Sequence, residues 1–384
     1  MQYDYIITGS GCAGLSLLYR ILKEPALQNK HILVIDAVEK NTNDKTWCFW
    51  EKTNGLFEDI VLHRWQELIF RSATFSDTFS IEPYQYKMIR GIDFYRYVLS
   101  FAERFPNVHW VHEKVESVYS DNSNAVVITE QHTYTGKWVF NSILFNKPKG
   151  IYNLLQHFKG WFIQTEEAIF NPRQAMFMDF SVNQKNGTAF MYVLPVSPTS
   201  ALVEYTLFTA SVLEDAAYTE ALQHYIQHTL SVNKYTIVHE EFGIIPMTDA
   251  HFPLQQGNII NIGTAGGQTK ASSGYTFQFI QKQTEQIVQQ MLQHTFRLQQ
   301  SFSAKKFKLY DKTLLNVLSN NNMNGDAVFT ALFKNNSPQA ILQFLDNETS
   351  LRKDLKILQS VPTKVFLPAA MQVIWLSLWK KSSH

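Results

Sequence analysis

The stretch YDYIITGSGCAGLSLLYRIL, residues 3–22, decides the fold when it is read with HILVID, residues 31–36. A strand runs into Gly9-Ser10-Gly11-Cys12-Ala13-Gly14, and Leu15, Leu18, Ile21 and Leu22 then recur on one helical face, with Pro25 after it. HILVID is a second strand, closed by Asp36, 22 residues beyond Gly14. Each part has a task in holding a dinucleotide. Gly9 permits the tight turn, Gly11 lets backbone approach a pyrophosphate, Gly14 allows close helix packing, and the helix start at Cys12 and Ala13 supplies free N–H groups. Asp36 is placed for the ribose hydroxyls. A carboxylate there argues against a 2′-phosphate, since two anions would repel, and leaves FAD or NAD.

The order of elements favours FAD. After the βαβ unit come short strands over residues 59–90, a helix at GIDFYRYVLSFAERF opened by Asp93 as N-cap, and further strands to about residue 146. Residues 155–250 read mostly as strand, with TAFMYVL and ALVEYTLF forming a hairpin across PVSPTS. NIINIGTAGGQTKASSGYTFQF, residues 258–279, then returns to strand, glycine-rich loop and a helix beginning near Ser273 and Gly274. Gly263, Gly266 and Gly267 allow backbone to approach a ring, and the helix would aim its positive end, with Ser273, Gly274 and Tyr275, at the pyrimidine end of a flavin. The expectation is a mixed α/β chain with a Rossmann-like FAD-binding domain of the glutathione-reductase or hydroxylase type. That domain is discontinuous (1–58, 91–150 and 255–300), carries an inserted strand-rich substrate domain (59–90 and 151–254), and is followed by a helical C-terminal region (301–384).

Composition narrows the partners. Over 384 residues the net charge is +1, so no global field attracts a polyanion and a nucleic-acid role is not indicated. Two cysteines, Cys12 and Cys48, give neither a disulfide framework nor a metal site. Aromatic content is 14%, which suits a large core or a bulky apolar ligand. No secretory signal is expected, and no apolar run reads as long enough to span a bilayer. VFLPAAMQVIWLSLW, residues 365–379, is long enough to dock on one, with Phe366, Trp375 and Trp379 followed by Lys380 and Lys381 as an interfacial anchor. A cytoplasmic, peripherally membrane-associated protein is expected.

NDKTWCFWEKT, residues 43–53, concentrates aromatic surface in what reads as a loop, and a loop this apolar must cover something. Taken in order, DYIITGSGCAGLSLL, DKTWCFWE, MDF at Met178–Phe180, ALVEYT at Ala201–Thr206, GIIPM at Gly243–Met247 and GTAGG with SSGYTF resemble the flavin-dependent lycopene cyclase family of bacteria and plants. The resemblance implies FAD kept reduced, NAD(P)H as the external reductant, lycopene and related acyclic carotenoids as substrates, and attachment to the membrane where they dissolve. It implies a redox-neutral closure of β-ionone rings, giving γ-carotene and then β-carotene. Two departures stand out: Glu204 is followed by Tyr205 where the family often has a second acid, and Gly263 is followed by Thr264 where many flavoproteins have Asp.

Alternation along ALVEYTLF puts Leu202, Glu204, Thr206 and Phe208 on one strand face and Val203, Tyr205 and Leu207 on the other. Glu204 therefore sits among apolar neighbours, where burial raises a carboxyl pKa as a general acid facing a hydrocarbon requires. Glu204 is the candidate acid; Trp47, Phe49, Trp50 and Tyr205 are the candidate cation-stabilising aromatics; Asp179 is a candidate structural acid. Two other readings remain open from the residues: an FAD-dependent monooxygenase or isoprenoid reductase, and an isoprenoid carrier of flavoprotein-like fold without chemistry.

Overall fold

A computed structural model describes residues 2–121, 123–296, 298 and 302–382, residue 302 and the last three by backbone alone. β1 (Gln2–Thr8) and β2 (Ile32–Ile35) pair in parallel on either side of α1 (Cys12–Lys23), as the glycine spacing requires. The apolar loop expected at residues 43–53 is instead centred on a strand, β3 (Thr46–Glu51), because Thr, Trp and Phe in alternation suit a pleated backbone better than a turn. β4 (His63–Trp65), β5 (Glu67–Arg71), β6 (Ser76–Ser80) and β7 (Gln85–Arg90) follow. β7 pairs antiparallel with both β3 and β4, so this small sheet draws on strands from either side of residue 58.

α2 (Gly91–Ala102) has Arg90 at its N-cap; Asp93, the expected cap, lies three residues further on in the first turn and pairs with the Arg90 guanidinium at 2.6 Å. Next come β8 (Val108–Val111), β9 (Val115–Asp121), β10 (Asn124–Thr129) and β11 (Thr133–Asn141), then the long strand β12 (Asn153–Thr165). β13 (Gln174–Asp179) precedes the expected hairpin, β14 (Thr188–Ser197) and β15 (Ser200–Thr209). α3 (Asp215–His224), β16 (Tyr235–Thr248), β17 (Gln255–Gln256) and β18 (Ile259–Asn261) lead to α4 (Phe277–Leu292).

Two larger sheets result. The first runs β17-β18-β11-β1-β2-β8, parallel from β18 to β8, with the β9–β10 hairpin joined to β11. α1, α2 and α4 cover it with Leu15, Leu18, Phe94, Ile280 and Ile287. The second runs β16-β12-β15-β14-β13-β5-β6 and is antiparallel except between β13 and β5.

Helices α5 (Phe302–Ser319), α6 (Gly325–Asn335), α7 (Pro338–Leu345), α8 (Leu351–Gln359) and α9 (Thr363–Ser382) close the chain. Phe329, Phe333 and Leu342 from them pack on Phe177, Phe190 and Phe208 of the second sheet. Full burial of such a side chain is worth about 1.5–3 kcal/mol, so packing fixes this helical layer over one sheet face. The opposite face, with Val203, Tyr205 and Leu207, packs on Tyr218 and Leu222 of α3. On α9, Leu367, Met371, Trp375 and Trp379 remain exposed while Ala369 and Val373 are buried. The side chains of Lys380 and Lys381 lie outside the described residues.

Candidate functional site

At the glycine turn, Gly9 has φ +92°, and a Cβ at Gly14 would collide with the Gly9 carbonyl oxygen. A Cβ at Gly11 would meet nothing within 4 Å, because Gly11 borders an open cavity of about 540 Å³. Gly11 is also the N-cap of α1 and offers no side-chain acceptor, so the first N–H groups of the helix have no cap from that quarter. Cys12 and Ala13 line the same cavity. Asp36, just past β2, accepts from the Ser10 N–H at 2.6 Å, the Ser10 hydroxyl at 2.9 Å and the Val38 N–H at 3.0 Å. Burial alone would raise its pKa, but these hydrogen bonds and Lys40 at 3.6 Å hold it below the ordinary carboxylate value. Asp36 thus ties the turn together, and it remains partly exposed without lining the cavity.

The late loop reaches the cavity through Gly263 and the run Ser273–Phe277. α4 begins at Phe277, three residues after the expected start, since Thr276 stays outside helical geometry. Gly266 and Gly267 sit in the adjoining tight turn and do not line the cavity. Two buried polar atoms that border it, Ser273 Oγ and Gln156 Oε1, have no hydrogen-bond partner in the protein. Orphaned acceptors of this kind suit a polar ligand edge. Together with the open space at Gly11, they make the residues present fit a flavin dinucleotide.

The second sheet closes the other side. Glu204 on β15 lies directly opposite Tyr192 on β14 and Gly160 on β12, and Gly160 in turn lies opposite Glu241 on β16. Glu204, Glu241 and Tyr192 all line the cavity, with Thr46, Trp47 and Cys48 of β3, Tyr86 of β7 and Tyr275 of the late loop. Thr206 Oγ1 donates to Glu204 Oε1 at 2.6 Å, and Thr46 Oγ1 donates to Glu241 Oε2 at 2.7 Å. Among the described residues no cation pairs with either acid. Burial first, and then repulsion from Glu241, pushes the Glu204 carboxyl well up from its ordinary range against the opposing Thr206 bond. Burial also raises Glu241, with Asp44 adding to the rise and Thr46 opposing it. Glu204 is partly accessible where it borders the cavity, whereas Glu241 is buried.

Of the four aromatics expected to face a cation, only Trp47 lines the cavity. β3 runs away from the cavity into the interior, so Thr46–Cys48 reach it and the residues after them do not. Phe49 stacks on Phe277 at 4.4 Å in the core under α4, and Trp50 is 2% exposed, its Nε1–H donating to the Leu342 carbonyl at 3.2 Å. Tyr205 points to the α3 side of its sheet, as alternation dictates for a neighbour of Glu204. Asp179 is fully buried, paired with Arg71 at 3.2 Å and accepting from the Tyr225 hydroxyl at 2.7 Å, away from the cavity.

The aromatic faces near Glu204 come instead from Tyr86, Tyr192 and Tyr275, with the Tyr192 and Tyr275 hydroxyls 3.4 Å apart. Burial raises all three phenols, and Cys48 likewise, so these groups remain neutral. Sequence reasoning missed Glu241. A signal was present, because consecutive acids at Glu240 and Glu241 must face opposite sides of a strand, so any covered face receives one of them.

A glycine-rich turn after the first strand, facing a sheet pocket that Glu204 and Glu241 line, goes with a chain of Rossmann-like flavoprotein fold. Solved structures agree on the fold. A geranylgeranyl bacteriochlorophyll reductase-like protein from Thermoplasma acidophilum superposes with a TM-score of 0.66 at 11% identity, over 98% of this chain and 99% of that one. A flavoprotein/dehydrogenase from Cytophaga hutchinsonii gives 0.63 at 12% identity, over 98% of this chain and 100% of that one. The family model described as lycopene cyclase protein matches residues 4–371, and the chain belongs to the lycopene cyclase family. The lycopene beta-cyclase of Pantoea ananas is 25% identical over 291 residues, 72% of this chain and 71% of that protein.

Proposed function

We propose that this chain is a lycopene beta-cyclase that closes the end groups of lycopene by acid catalysis, with Glu204 as the acid. The observation that carries this reading is a carboxyl without a cation partner, held largely neutral by burial, in the cavity that the glycine turn also borders. Glu204 donates its proton to C2 of the terminal double bond and leaves a tertiary cation at C1. The C5=C6 bond attacks C1, and loss of the C6 proton completes a β-ionone ring without net redox change. The phenol rings of Tyr86, Tyr192 and Tyr275 and the indole of Trp47 offer π faces to the cation, each worth roughly 0.5–2 kcal/mol depending on desolvation. The apolar wall of Leu194, Leu202 and Phe158 keeps out water that would trap it.

Gly11, Cys12 and Ala13 would hold the pyrophosphate of FAD, Asp36 the ribose, and Gly263 with Ser273–Tyr275 the ring system. When bound and reduced, that group supplies negative charge beside the cation. NAD(P)H is the proposed outside reductant.

The exposed apolar side of α9, where Trp375 and Trp379 stack at 5.9 Å, supports docking on the cytoplasmic face of a membrane. Among the described residues no helix is long and apolar enough to cross one.

The test is Glu204→Gln in purified protein given reduced FAD and lycopene in vesicles under anaerobic conditions. The variant is expected to bind FAD and form no ring, while the wild-type product has the same mass as lycopene. Full activity in the variant would remove Glu204 as the acid, and a gain of oxygen or of two hydrogens would point to a monooxygenase or reductase.

A further inference from the structure

Glu204 and Glu241 stand on strands that do not touch each other. β12 runs between β15 and β16, and the residue of β12 that faces both acids is Gly160. A Cβ at Gly160 would lie 3.2 Å from Glu241 Cγ, 3.5 Å from Glu204 Cβ and 3.0 Å from Leu202 Cδ1. The missing side chain at position 160 leaves open space between the two acids, and a side chain there would be wedged between them. Both acids open on one cavity, each receives a single hydroxyl hydrogen bond, and Glu241 opposes ionisation of Glu204. Two buried carboxylates in this arrangement cannot both ionise cheaply, so they hold one proton between them.

We propose that Glu204 and Glu241 form a one-proton pair across Gly160, in which Glu204 delivers the proton to the alkene and the Glu241 carboxylate accepts the proton released at ring closure. This rests on Glu204 being the acid. The step balances. The O–H bond of Glu204 breaks as the C2–H bond forms, the C5=C6 π pair forms the C1–C6 bond, and the C6–H bond breaks to restore C5=C6. Its proton goes to Glu241, and transfer from Glu241 back to Glu204 resets the pair, with no outside reactant consumed.

The other titratable groups facing the pair are known from each neighbouring element. Asp44 precedes β3 and Cys48 lies on it, Tyr86 is on β7, Tyr192 on β14, and Tyr275 precedes α4. His239 precedes Glu241 by two residues on the same side of β16, against Phe162. Lys40 and Lys45 line the cavity, and neither forms an ion pair with Glu204 or Glu241.

The test compares wild type, Glu241→Gln, Glu241→Asp, Gly160→Ala and Glu204→Gln in the full chain. Rates with reduced FAD and lycopene in phosphatidylcholine vesicles are measured across pH, and the infrared C=O band of the protonated carboxyl is titrated without substrate. Wild type should show a bell-shaped rate profile. Glu241→Gln should lose rate on the order of 100-fold, drop the acidic limb, and move the basic limb and the infrared titration to lower pH, because a neutral amide no longer repels charge on Glu204. Glu241→Asp should recover part of the rate and the bell shape. Gly160→Ala, which parts the two acids while keeping both, should also move the infrared titration down, so the pair is tested even where Glu241→Gln does not fold.

A Glu241→Gln protein with the wild-type profile and infrared titration, whatever its rate, would overturn the pair, since a structural role scales the rate without moving a limb. Glu204→Gln separates the two ideas. If it is inactive while Glu241→Gln leaves the profile unmoved, the acid stands and the pair falls; if it is active, the acid itself falls.

Discussion

Asp36 and Glu204 are both largely shielded from water in one molecule, yet their environments favour opposite charge states. Asp36 receives three hydrogen bonds from Ser10 and Val38 and has Lys40 nearby, and it stays ionised. Glu204 receives one, from Thr206, and faces a second acid, so its neutral form is favoured. Burial is common to both; donors and neighbouring charge decide the outcome. One site thus keeps an anion to tie a turn, and the other suppresses an anion to keep a proton.

The largest expected effect breaks the acid site. Glu204→Gln should lower the rate of cyclisation by roughly 100- to 10,000-fold, measured as ring products by chromatography, with the far-ultraviolet spectrum and bound flavin unchanged. The next addresses the turn. Gly11→Val puts branched carbon into the space a phosphate would take, and flavin affinity measured by fluorescence should fall on the order of 100-fold, about 3 kcal/mol, with the fold retained.

Stability sharpens the contrast further. The folded chain holds protons on the Glu204–Glu241 pair that the unfolded chain releases, so this site's contribution to stability falls as pH rises from the ordinary carboxylate range through the raised folded values. Glu241→Gln should therefore raise the unfolding free energy at alkaline pH by on the order of 1–3 kcal/mol, read by urea titration. Asp36 has the opposite sign. Its lowered value gives stability that is present above the unfolded pKa and lost as pH falls through the folded one, so Asp36→Asn should cost about 1 kcal/mol at neutral pH and less in acid. The smallest effect is expected at α9, where Trp375→Ser with Trp379→Ser should weaken vesicle sedimentation several-fold and leave the unfolding midpoint within about 0.5 kcal/mol.

What was legible in the sequence was whatever a single segment dictates. The spacing of Gly9, Gly11 and Gly14 sets the turn by local geometry, and alternation alone puts Glu204 and Tyr205 on opposite faces. The same rule, applied to residues 46–51 as a strand, divides its aromatic residues between two faces, a division that a loop does not impose. Even then, which of them reach the cavity depends on where the strand ends, and only Trp47 stands near enough. Alternation could flag Glu241 as a covered acid but not its partner. Its meeting with Glu204 is a matter of register across three strands, β16, β12 and β15, joined by connections far apart in the chain. No local pattern encodes that Gly160 falls between them.

The most direct measurement is anaerobic turnover of lycopene by the reduced enzyme in D₂O, with the product analysed by mass spectrometry. In a single turnover of enzyme equilibrated beforehand in D₂O, a proton handed from Glu204 to C2 should leave deuterium at C2 of the first ring formed, with no other change in composition, and Glu204→Gln should form no labelled ring. Rings free of deuterium at C2, or labelled rings made at the wild-type rate by the variant, would contradict proton delivery from this carboxyl.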